Sequence, residues 1–165
     1  MGHPLELSIP DGLPYIDFAR EFDHPVAEVF RAHADPELYA RWIGPRGLRT
    51  RIEQHDCRTG GAWAFAQTPE EGGEEYGFRG TFHTVRRDEL IVQTFEYLGA
   101  PDAVDLEFLR FEDLGDGRCR LAGHTVHASV AARDAMAASG MEDGMTQGYE
   151  RLDELLAELA GGQGG

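Results

Sequence analysis

The chain reads as an α+β domain: a strongly curved antiparallel sheet of about seven strands wrapped around one long C-terminal helix, with two short helices after the first strand. Three observations carry that expectation. Residues Ser139 to Leu159 place Met141, Met145, Gly148, Tyr149, Leu152, Leu156 and Leu159 at three- and four-residue intervals, with Glu142, Asp143, Glu150, Arg151, Asp153, Glu154 and Glu158 on the other side, the pattern of a long amphipathic helix. From Leu48 to His127 the text is strand-like and broken only by short Gly, Pro and Asp turns, so neighbouring strands pair antiparallel. Between a first strand and that sheet lie two helix-start signals, Asp23-His24-Pro25 and Asp35-Pro36.

In chain order, Ile16 and Phe18 share a face of a first strand over Tyr15–Phe22, with a bulge or a change of face expected at Glu21-Phe22. Pro25 fits the first position of a helix whose apolar side holds Val26, Val29, Phe30 and His33. A second short helix carries Leu38, Tyr39, Trp42 and Ile43 and stops at Gly44-Pro45. Six strands follow, over Leu48–Cys57, Ala62–Gln67, Glu74–Val85, Leu90–Leu98, Ala103–Phe111 and Arg118–His127. Gly60, Gly61, Gly77 and Gly80 can bend them. Ser129 can cap a short helix through Ala138, and Gly140 separates it from the long one. Residues 1–13 and the glycine-rich tail 161–165 lack anchoring side chains, so both are expected to be flexible around one domain at 14–160.

Composition narrows the function. Fifteen basic against thirty acidic residues give a formal charge of -15, which opposes nucleic acid and anionic membranes as partners. No apolar run reaches the length of a membrane span and no basic-then-apolar leader opens the chain, so it reads as cytoplasmic. Cys57 and Cys119 are expected to be reduced thiols. His55 and Cys57 share a face without further ligands at a useful spacing, so neither a metal nor a cofactor is expected.

The stretch Phe22–Gly47 (FDHPVAEVFRAHADPELYARWIGPRG), the Gly60-Gly61 pair with aromatics after it, and the Ser139-Gly140-Met141 opening of the last helix together resemble the chaperone-ATPase-activator-like branch of the START and birch-pollen-allergen superfamily. The likeness runs from about Tyr15 to Leu159 and implies a helix-grip fold with a cavity between sheet and last helix. Within that frame the candidate ligand-binding residues are Trp42, Trp63, Phe65, Phe78, Phe82, Gln93, Phe95, Tyr97 and Phe108 from the first two-thirds of the chain, faced by Met141, Met145 and Tyr149 of the long helix.

Three functions stand side by side at this point. The preferred one is binding of a small hydrophobic or amphipathic molecule. The second is a cyclase- or dehydratase-type enzyme using His124, His127 or Tyr97, with Glu107 as a partner, for acid/base work. His124 and His127 are three residues apart on one strand and therefore point to opposite faces. The third is a chaperone co-factor, which the resemblance names; since the likeness covers the helix-grip part alone, a chaperone partner is not expected. A sheet edge or the short-helix surface offers a contact for a homodimer.

Overall fold

A strand with one apolar face must lay that face against something, and here the inner face of the sheet is covered by helices. In a computed structural model that describes residues 2–163, eight strands pair antiparallel into a single sheet. They are β1 (Glu6–Ser8), β2 (Tyr15–Phe22), β3 (Leu48–His55), β4 (Ala62–Pro69), β5 (Tyr76–Arg86), β6 (Leu90–Tyr97), β7 (Val104–Gly115) and β8 (Arg118–Val126). Their order across the sheet is β1-β2-β8-β7-β6-β5-β4-β3, a meander from β3 to β8 that the first strands close from the far side. Helices α1 (Val26–Ala34) and α2 (Pro36–Trp42) follow β2, and α3 (Val130–Ala137) and α4 (Met141–Gln163) end the chain.

The expected fold class stands, with local differences that have physical causes. The eighth strand is β1, inside the segment expected to be flexible. It pairs with β2, Leu7 opposite Phe18, and the buried Arg133 of α3 donates to the carbonyls of Pro10 and Leu13, so residues 6–13 are tied at both ends. No bulge occurs at Glu21-Phe22, where pairing runs unbroken to Phe22 opposite Cys119. The unusual Arg20 that disguises the alternation points inward with Phe18 and Phe22 and meets Asp153 of α4 at 2.7 Å. Pro25 caps α1 rather than entering it, its carbonyl accepting from Glu28 and Val29. Asp35 accepts from the Glu37 amide and Ser129 from the Ala132 amide, as their side-chain chemistry dictates. The final helix continues through Gly161 and Gly162 to Gln163; the rest of the expected tail lies outside the described residues.

Curvature enters through register shifts between Ile52 and Gln54 in β3 and between Phe82 and Thr84 in β5, where an extra residue bends the strand. Gly123, in the middle of β8, matters for another reason. A methyl group there would sit inside the ring of Phe18, so its absence lets that ring lie flat on the neighbouring strand.

The core is dense at one end. Leu152, Leu155 and Leu156 of α4 are buried with Phe22, Val29, Cys119 and Leu121. The guanidinium of Arg151 donates to the carbonyls of Arg41, Gly44 and Pro45, fastening α4 to the end of α2. Toward the N-terminal end of α4 the packing gives way to a cavity.

Candidate functional site

The inward side chains of β2 and β4 to β8, the short helices and the N-terminal half of α4 line a cavity of about 260 Å³. Its walls are mostly aromatic. Trp42 stacks on Tyr149 at 5.7 Å between ring centres, Phe65 lies 5.1 Å from Phe78, and Phe78 lies 5.6 Å from Phe95. Trp42 is held in place by its indole N–H, which donates to the Ala32 carbonyl at 2.9 Å. Met136 of α3 and Met141 and Met145 of α4 close the helical side, and Gly144 and Gly148 leave room beside them. Methionine in such a wall deforms at little cost and accommodates different shapes.

One region of the wall is polar. The Nδ1–H of His127 donates to Asp105 Oδ1 at 2.9 Å, and both groups are buried. That bond leaves His127 Nε2 buried with no partner. Two residues along β7 on the same face, Glu107 accepts at 2.8 Å from the side-chain amide of Gln93, its cross-strand neighbour. Burial, helped by the charge of Asp105 and opposed by the Gln93 bond, pushes the Glu107 carboxyl up to about 7. Burial also raises Asp105, with His127 pulling the other way.

His33 of α1 reaches the cavity as well. Its Nδ1–H donates to the Val29 carbonyl at 2.8 Å, its Nε2 has no partner, and burial lowers its pKa to about 4, so the ring is neutral near pH 7. The phenols of Tyr39 and Tyr149 are raised by burial and stay protonated.

The structure sorts the residues singled out in the sequence. Trp42, Phe65, Phe78, Gln93, Phe95, Met141, Met145 and Tyr149 line the cavity. Trp63 and Phe82 are buried on the same face but pack away from the void, Trp63 against Phe65 and Phe95, Phe82 against the His55 ring. Tyr97, the last residue of β6, lies tilted against Phe78 and Tyr76 outside the lining. Phe108 is a correction: it points outward beside His124, because the inward residues of β7 are Asp105, Glu107 and Leu109. His124 is a second, lying half-exposed on the outer face against Asp17 and Tyr15, so of the two histidines only His127 reaches the cavity.

Sequence reading passed over His33, Tyr39, Gln67 and Asp105 as cavity residues. The signal for Asp105 and Glu107 was there, two acids at alternating positions of a strand whose other face carries Leu106 and Phe108. Among the described residues no three His, Cys, Asp or Glu side chains converge as a metal set. The two cysteines are free, and burial pushes Cys57 up to about 11 and Cys119 up to about 12, which keeps both as thiols at neutral pH. No helix among the described residues is long and apolar enough to cross a membrane.

A sheet gripping a C-terminal helix around an aromatic cavity recurs in other proteins. The family model described as Activator of Hsp90 ATPase homolog 1-like protein matches residues 23–157. The chain belongs to that family. This Hsp90-activator-homologue-like chain superposes on the crystal structure of a Rhodobacter sphaeroides protein with a TM-score of 0.84 at 25% identity, covering 93% of this chain and 99% of that one. A solution structure from Arthrobacter aurescens gives 0.84 at 24% identity, over 93% and 91% of the two chains. The crystal structure of the AHSA1 protein from Silicibacter pomeroyi gives 0.71 at 22% identity, over 88% and 97%. A comparison with curated proteins finds no match.

Proposed function

We propose that the protein binds a small, mostly apolar molecule in the cavity between the sheet and α4. The observation that carries this reading is the cavity itself. A void of about 260 Å³ walled by Trp42, Phe65, Phe78, Phe95 and Tyr149 costs the fold dispersion contacts that packed side chains would supply. Its size lies just below the span of roughly 300–1,000 Å³ usual for ligand pockets, which suits a molecule of one or two rings rather than a two-chain lipid. Native mass spectrometry of the protein purified from its own organism tests the reading directly, with a stoichiometric small molecule expected to leave on denaturation. The Gly148→Leu variant locates the site. Gly148 lines the cavity and a Cβ there meets only ordinary 3.5 Å contacts, so the longer side chain is expected to fill the void and abolish ligand-induced thermal stabilisation. Unchanged affinity in that variant would move the site elsewhere.

A second reading rests on His127. An imidazole oriented by a buried carboxylate, with its other nitrogen unpartnered in a cavity that also holds a carboxyl raised to about 7, supplies the groups a general base and its acid partner require. A cyclase- or dehydratase-type reaction on an apolar substrate uses such a pair. Turnover of a candidate substrate retained in His127→Ala would remove that histidine from any mechanism. The chaperone in the family's description has no part in either reading; a pull-down with purified Hsp90 that recovered the protein would reopen it.

A further inference from the structure

The unpartnered polar atoms of the cavity share one character. In the neutral tautomers whose Nδ1–H makes these bonds, to the Val29 carbonyl and to Asp105 respectively, His33 Nε2 and His127 Nε2 are acceptors. The Glu107 carboxylate has one oxygen occupied by Gln93 and its remaining surface turned to the cavity. The hydroxyls of Tyr39, Tyr149 and Thr125 donate or accept as required and discriminate neither way. No arginine lines the cavity among the described residues, although all fifteen basic residues of the chain are arginine.

Charge points the same way as hydrogen bonding. Asp105 and Glu107 stand two residues apart on one strand face, about 7 Å along it. Above about pH 7, where Glu107 is ionised, an anionic head brought to them would add to their negative charge in a region too buried for solvent to screen it. A buried acceptor with no donor also loses hydration for nothing, which a donor from the ligand would restore.

Accepting that the cavity binds a small apolar molecule, we propose that its ligand carries no negative charge and ends in a hydrogen-bond donor, a hydroxyl or amine, held by His127 Nε2 and Glu107. Carboxylic acids, sulfonates and phosphate esters are excluded as the bound class, however apolar their bodies. The aromatic walls take the body of the ligand, and Asp105 and Gln93 act by positioning the two acceptors. The class is a phenol, a ring alcohol or an apolar amine, and the last also gains from the faces of Trp42 and Tyr149.

The test compares ligands of one skeleton. Naphthol, naphthylmethylamine, methoxynaphthalene and naphthoate, substituted at the same carbon, are titrated into the full-length protein by calorimetry at about pH 8, where Glu107 is ionised. Naphthol or the amine is expected to bind at least about tenfold tighter than methoxynaphthalene, the equivalent of one net hydrogen bond, and naphthoate to bind weakest. The winner between naphthol and the amine tells the hydroxyl class from the amine class. In His127→Phe, naphthol and methoxynaphthalene should become equal. In the near-isosteric Glu107→Gln, naphthoate should gain about tenfold. The comparison on the unaltered protein needs no variant, so a folding defect in either one leaves it decisive. Naphthoate binding as tightly as naphthol would overturn the head-group assignment while leaving the cavity as a binding site. Failure of all four probes to bind would count against the cavity reading, and the head-group assignment would fall with it.

Discussion

The two halves of α4 present one helix with two kinds of neighbour. Its C-terminal half sets Leu152, Leu155 and Leu156 among Phe22, Val29, Cys119 and Leu121, every one of them buried. Its N-terminal half sets Met141, Gly144, Met145 and Gly148 against a void. Stability resides in the half where branched side chains interlock, and adaptability in the half where the sheet and helix do not meet. The difference is written in residue type. Leucine fills a fixed shape, whereas methionine and glycine leave a shape to be decided by what enters.

The sharpest way to break that contrast is to truncate a side chain in each half. Leu152→Ala should lose about 2–5 kcal/mol of stability in urea unfolding, while Met145→Ala, whose side chain already borders empty space, should lose about 1 kcal/mol or less. Equal losses would mean that the cavity is filled by packing in solution. Acid–base behaviour belongs to the open half alone. Glu107 has a folded pKa of about 7 against 4.5, so its contribution is greatest at low pH and is lost as pH rises from about 4.5 to about 7. His33 has a folded pKa of about 4 against 6.5, so its contribution is lost as pH falls from about 6.5 to about 4. Each is worth on the order of 3 kcal/mol and they slope in opposite directions, so the two contributions largely offset each other over that window. Stability measured against pH in Glu107→Gln should rise more steeply from pH 4 to 6.5 than in the parent. An unchanged slope would place Glu107 in contact with bulk water.

Smaller effects sharpen the comparison further. Asp35→Ala removes the side chain that accepts from the Glu37 amide and should cost about 1 kcal/mol, by weakening the short helix that carries Trp42 to the cavity. Gly144→Ala is expected to stabilise by about 0.5–1 kcal/mol, since a Cβ there meets only Pro45 at 3.8 Å and the helix gains the propensity of alanine. The sign matters more than the size. A loss at Gly144 would show that the open half tolerates no added side chain.

The grip itself was legible because it follows from spacing: leucines and methionines on one face of α4, pairs of aromatics two residues apart in each of β4 to β6. The polar end was not, and β7 explains why. There the inward positions hold Asp105 and Glu107, and the outward ones hold Val104 and Leu106, both well exposed, together with Phe108. Reading apolar as inward therefore turns the strand over, which is how Phe108 was assigned to the cavity and Asp105 was missed. A strand that violates the pattern of its neighbours is where the fold has given up some packing for chemistry. Arg20 did the same on a smaller scale in β2, suggesting a bulge where an inward arginine instead reaches Asp153.

The strand order has a bearing on how the molecule comes into being. β2 is made early, yet its only long partner is β8, with Tyr15 opposite Val126 and Phe22 opposite Cys119, and its Arg20 waits for Asp153 near the end of the chain. At about 5–20 residues per second, the ribosome releases the β3 to β8 meander on the order of seconds before α4 follows it. During that interval the concave face carrying Asp105 and Glu107 stands open, with its eventual lid still unfolded. A face that α4 covers in the folded protein is thus uncovered until the last residues are made.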